Sequence, residues 1–146
     1  MNSEDLAIIS AGIFFLAGLI TGVWKYQQII TSESGQAHPY VDICHRASLL
    51  YAFAAILLVK FAEVSQLPNH IELFSVGAVV FYFATAIIAY FIHGLLKDTE
   101  NQLKPPHTVG TIQLPSGAIA LYMWMLIAAE IGGFLVLFYG VLIEVL

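Results

Sequence analysis

The sequence predicts an all-α membrane protein with four transmembrane helices in an antiparallel bundle. Of its 146 residues, 60% are hydrophobic and 10% charged, whereas soluble domains average about 45–50% apolar and about 25% charged. Four apolar runs, Leu6–Tyr26, Ile43–Val64, Ile71–Leu96 and Leu114–Leu146, each reach the roughly 20 residues that cross a hydrocarbon core of about 30 Å. None alternates in polarity as barrel strands do. Backbone groups in lipid must find partners within the segment, so all four runs are expected to be helices.

A single four-helix domain is expected over residues 1–146. The first run opens with the acidic MNSEDL, where a signal peptide carries a basic region, so it is expected to stay as a span. It contains Gly18-x-x-x-Gly22. The second run offers Ser48, Ala52 and Ala55, and the fourth overlaps Ala128-x-x-x-Gly132 with Ala129-x-x-x-Gly133. Small residues at this spacing let helices approach closely in lipid. A short turn over Gln66–Asn69 makes helices 2 and 3 an antiparallel hairpin.

Lys25, Arg46, Lys97 and Lys104 fall on one side of this topology and Lys60 on the other. The first side is therefore expected to be cytoplasmic, with both termini external. A bacterial inner membrane is the expected setting. Trp24, Tyr26 and Tyr40 fit an aromatic belt at the cytoplasmic interface. The net charge of −5 comes without any basic run, so nothing points to nucleic acid. The one cysteine, Cys44, excludes an internal disulfide and a C-x-x-C-H haem attachment; it is expected as a small packing residue.

His38, His45, His93 and His107 gather at the cytoplasmic end, with His70 opposite. His38, His70 and His107 suit ordinary interfacial loop roles. His45 and His93 differ, because each lies inside a span about one turn from its end, where an ionisable group usually faces a partner or a cavity. The helix 2–3 hairpin sets them at similar depth, facing each other. On helix 3, Tyr82, Ala86, Tyr90 and His93 recur at three- and four-residue intervals and form one stripe, a candidate pocket wall.

Two histidines are too few for a zinc or copper site. Haem needs one or two axial side chains and cations for its propionates, which Arg46 and Lys97 can supply. At mid-span, Lys60 and Glu130 come out at similar depth by residue count and are expected to pair, within or between subunits; the alternative for Glu130 is a proton relay.

The segments "HRASLLY", His45 to Tyr51, and "AYF", Ala89 to Phe91, resemble the styrene oxide isomerases, small four-helix membrane proteins that bind haem b. The likeness covers helices 2 and 3, about half the chain. It implies His45 as axial ligand, Tyr90 as a pocket residue, and a homotrimer with haem between subunits. The chain departs from the family at Tyr51, where the isomerases carry an asparagine, and at Tyr82, where they carry an aspartate. Both of those groups handle the epoxide. His93 has no counterpart there; as a second axial ligand it would close the iron to substrate and suit electron transfer.

The leading expectation is thus a membrane haem b protein of redox or electron-transfer type, meeting a quinone, a small hydrophobic substrate or a redox partner, with Tyr51, Tyr82 and Tyr90 near the reaction. Epoxide isomerisation is the alternative. A cofactor-free accessory subunit of a larger membrane complex is the third.

Overall fold

The computed structural model describes residues 1–115 and 117–146. It contains the four helices: α1 Ser3–Thr31, α2 Pro39–Val64, α3 Asn69–Leu96 and α4 Ala118–Val145. All are long and apolar enough to cross a membrane. α2 and α3 form the centre, with α1 packed chiefly on α2 and α4 chiefly on α3.

Local chemistry sets the helix ends. Asn2 caps α1 by accepting from the Asp5 amide at 2.7 Å, while the Asn2 amide donates to Asp5 at 3.2 Å; this reciprocal box satisfies two orphan donors. Pro39 occupies the first turn of α2, where its missing N–H costs nothing. α3 ends at Lys97, whose left-handed backbone (φ 51°) turns the chain back on the helix. α1 outruns its apolar stretch, because Gln27, Gln28 and Thr31 continue the helix into the interface. α4 starts four residues later than the apolar run. Just before that run lies a hairpin, β1 Thr108–Val109 and β2 Ile112–Gln113, which turns at Gly110 (φ 60°).

The core is narrow and built from small side chains. α2 buries Cys44, Ser48, Ala52, Ala55 and Leu58 along one stripe. Ala7, Ala11 and Phe14 meet it from α1, and Val76, Val79, Val80 and Phe83 from α3. Phe83 stacks on Tyr51 at 4.1 Å and meets Phe14 edge-on at 6.5 Å. Hydroxyls inside the helices are satisfied locally: Ser10, Thr21 and Ser48 each donate to the carbonyl four residues back at 2.7 Å.

The α3–α4 contact depends on Gly133. A Cβ there would stand 2.7 Å from the Ser75 carbonyl oxygen and 2.8 Å from a Val79 methyl, whereas at Gly132 it would meet nothing within 4 Å. Gly133→Leu is therefore expected to cost about 1–3 kcal/mol through overpacking, while Gly132→Leu leaves the isolated chain unchanged. Thermal unfolding of the two variants in detergent checks this; equal losses would place the close approach elsewhere.

Candidate functional site

His45 lies two turns into α2, half-buried. Its Nδ1 is 2.8 Å from the Gly18 carbonyl oxygen of α1. A carbonyl oxygen only accepts, so Nδ1 carries the proton and Nε2 keeps its lone pair. The ring rests on Gly22, where a Cβ would stand 2.9 Å from its Cε1. The glycine pair expected to bring helices together thus also seats an imidazole. Three residues before His45, Asp42 accepts from Lys25 Nζ and Arg46 Nη2, each at 2.6 Å, so two cations meet beside the ring. The Arg46 side chain is largely exposed beyond this contact.

His93 is buried in the last turn of α3 and has other neighbours. Its Nδ1 lies 2.7 Å from Asp98 Oδ1, and its ring lies 5.1 Å from that of Tyr40. The left-handed turn at Lys97 makes this contact by folding Asp98 back over the helix end. The Gly110 amide donates to the other carboxylate oxygen. Burial alone would raise the Asp98 carboxyl, but the bonds from His93 and Gly110 hold it below the usual carboxylate range.

The expectation that His45 and His93 face each other is corrected. The α2 residues that meet α3 at this level are Val41, packed on Gly94, and Cys44, whose thiol donates to the Ile87 carbonyl at 3.7 Å. His45 follows Cys44 by one residue, about 100° around the helix, and so turns to α1. Cys44 is fully buried. Lys97 is exposed at the end of α3 and lies near His38 rather than in the Lys25–Arg46 cluster. Burial and Lys97 together hold His38 below the usual imidazole range. Among the described residues no three His, Cys, Asp or Glu side chains converge on a metal position.

The expected tyrosine stripe also sits differently. Tyr90 stacks with Tyr40 at 6.1 Å, Tyr51 is packed on Phe83, and Tyr82 leans on Tyr122 of α4 at 5.9 Å. The cavity beside His93, about 200 Å³, uses the adjoining stripe instead: Thr85, Ala89 and His93 from α3, Tyr122 and Met123 from α4, and His107 from the connecting loop. Counting back from His93 by four gives 89 and 85; counting by three and four gives 90, 86 and 82. Both stripes are neighbours on a helix, and the sequence alone did not rank them. Nothing in the sequence singles out Thr85 or Tyr122, and His107 reads there as an ordinary loop residue. For Asp98 the available signal is an acid five residues past a helix-terminal histidine.

Within the chain, Lys60 does not reach Glu130. It bonds Glu63, one turn along α2, at 2.8 Å, the shorter reach on an exposed face. Glu130 Oε1 is buried and has no hydrogen-bond partner among the described residues; Tyr51 and Tyr90 lie within its electrostatic reach.

Compared with protein-family models, with curated proteins and with solved structures, the chain matches none. Site geometry therefore carries the functional reasoning.

The Asp98 contact makes a pH-dependent prediction. A carboxyl held below its unfolded value adds stability above the unfolded range, about pH 3.9, and loses it as pH falls through the folded value. Asp98→Asn is expected to cost about 1–3 kcal/mol at neutral pH, with the gap to the parent closing below about pH 4. Unfolding in detergent across that range checks it; a gap independent of pH would mean that the charge is not what matters.

Proposed function

We propose that this chain is an integral membrane haem b protein in which His45 Nε2 is the axial nitrogen. The hydrogen bond from His45 Nδ1 to the Gly18 carbonyl carries the proposal. Metal-bound histidines commonly donate their second ring nitrogen in this way, which fixes the tautomer, orients the ring and makes the ligating nitrogen more basic. The residues present fit the group. His45 is only half-buried, Gly22 leaves room for the ring, and Lys25 and Arg46 offer cations for propionates.

Haem supplies an iron centre whose potential and open coordination position the surrounding protein tunes. Gly18 holds the imidazole, Asp42 holds the two cations near it, and Arg46 is free to exchange Asp42 for a propionate. His45 turns to α1 whereas His93 lines the cavity between α3 and α4, which favours one histidine per iron. Held by His45 alone among the histidines, the group would supply an iron centre to a small molecule, and a two-histidine electron carrier is disfavoured.

Redox exchange with a hydrophobic small molecule of the quinone class is the activity we propose. Epoxide isomerisation is less well supported, because Tyr51 and Tyr82, which replace the family's asparagine and aspartate, are engaged in aromatic packing. Assembly as a homotrimer with the haem between subunits accords with a ligand on the outer surface of the bundle and with the exposed apolar length of α4. A bacterial inner membrane, with the histidine-rich end cytoplasmic, completes the proposal.

Absorption spectra of the detergent-purified protein, oxidised and reduced, test it beside His45→Ala and His93→Ala. The expected result is a Soret band from high-spin haem that is lost in His45→Ala and keeps its spin state in His93→Ala. A low-spin parent that becomes high-spin in His93→Ala would restore the two-histidine carrier. Turnover of styrene oxide without reductant would favour the isomerase. Colourless protein, after expression with haem supplied, would overturn the proposal and leave the accessory subunit.

A further inference from the structure

The cavity between α3, α4 and loop residues 102–114 has a polar character fixed by the bonds its wall makes elsewhere. His93 is more than nine-tenths buried and gives its Nδ1 proton to Asp98. His107 gives its Nδ1 proton to the Gln102 carbonyl at 2.9 Å. Neutral imidazole has one N–H, so the Nε2 atom of each ring is left as an acceptor. Thr85 donates to the Tyr82 carbonyl at 3.0 Å and lies 2.8 Å from the Tyr122 hydroxyl. Thr85 has a single proton to give, so Tyr122 is the donor in that second contact, and its oxygen too retains only lone pairs. Gln102 and Thr108 also line the space; their side chains can donate as well as accept, so three committed acceptors stand against two groups that take either role.

Three wall groups from three different elements therefore accept, in a lining that is otherwise largely apolar. The volume, about 200 Å³, lies below the roughly 300–1,000 Å³ of pockets for drug-sized ligands, which suits a single substituted ring. The loop is tied down over this space. The Gln102 amide donates to the Tyr40 hydroxyl, the Gly110 amide to Asp98, and the Leu114 amide to the His107 carbonyl at 2.9 Å.

We propose that this cavity is a binding site for a small hydroxyaryl molecule, of the phenol or quinol class, whose O–H donates to His93 Nε2 or Tyr122 Oη. Selectivity comes from mismatch. An ether or carbonyl oxygen placed against an acceptor leaves both without a proton, and a buried acceptor left unpaired is penalised. The site is separate from His45 and does not rest on iron being bound.

The test is calorimetric titration of the purified full chain in detergent with 4-methylphenol and with its methyl ether, 4-methylanisole, corrected for partition into empty micelles. The phenol is expected to bind about tenfold more tightly, one buried hydrogen bond's worth. The preference is expected to disappear in His93→Phe or in Tyr122→Phe, according to which acceptor takes the proton. Equal affinities, no saturable binding, or a preference surviving both substitutions would overturn the proposal. Should either variant fail to fold, the parent labelled with 15N-histidine decides. Saturation with the phenol, and not with the ether, is expected to shift imidazole nitrogen signals. Unmoved signals would count against the site.

Discussion

A polar group in lipid without a partner costs several kcal/mol, and the histidine-rich end of this bundle is organised by how one carboxylate meets that constraint. Asp98 accepts from His93 on one oxygen and from Gly110 on the other. The first bond sets the tautomer of a buried histidine; the second draws the hairpin down over the α3–α4 groove. The left-handed turn at Lys97 is what brings the carboxylate into range. A non-glycine residue in that conformation costs roughly 1–2 kcal/mol, which the two charge-assisted bonds offset. Loop closure, cavity shape and the acceptor face of His93 all follow from that one side chain.

The same logic governs His45 with a different acceptor. There a backbone carbonyl, that of Gly18, takes the Nδ1 proton. A helical carbonyl is normally occupied by the amide four residues on, and it has a second lone pair to give only where no side chain intervenes. Gly22, one turn along, provides that opening. Both in-span histidines therefore have Nδ1 committed and Nε2 available. Their surroundings then separate them: paired cations and the outer surface of the bundle for His45, an enclosed acceptor-lined space for His93. The two rings leave the α2–α3 centre toward different neighbours, His45 toward α1 and His93 toward the cavity between α3 and α4.

Much of the fold was legible in the sequence because a span declares itself through length and apolarity, and the lipid leaves the backbone no choice but a helix. The small residues that allow close approach were legible too; Gly18, Gly22 and Gly133 all sit at real contacts. Rotational phase was not. Whether His45 faces α3 or α1 turns on about 100° of helix rotation, and α2 is apolar on nearly every side, so no amphipathic face fixed it. The choice between the Tyr82–Tyr90 stripe and the Thr85–Ala89 stripe failed for the same reason. The cavity's loop wall was hidden further, since the Asp98–Gly110 contact ties the end of α3 to the turn of a hairpin too short to show as a pattern.

Glu130 shows where satisfaction stops. Its Oε1 is buried without a partner near the middle of α4, while Lys60, the one basic residue toward the opposite end of the bundle, is held by Glu63. Tyr51 of α2 and Tyr90 of α3 lie within its electrostatic reach. Glu72 repeats the arrangement nearer the opposite end: Ser3 donates to one oxygen at 3.3 Å and the other is left unpaired. Acids this far from cations add little to stability. Their placement along the α1–α3 and α3–α4 contacts, away from the histidine-rich end, leaves the proton donors and acceptors of this chain spread from one membrane face to the other.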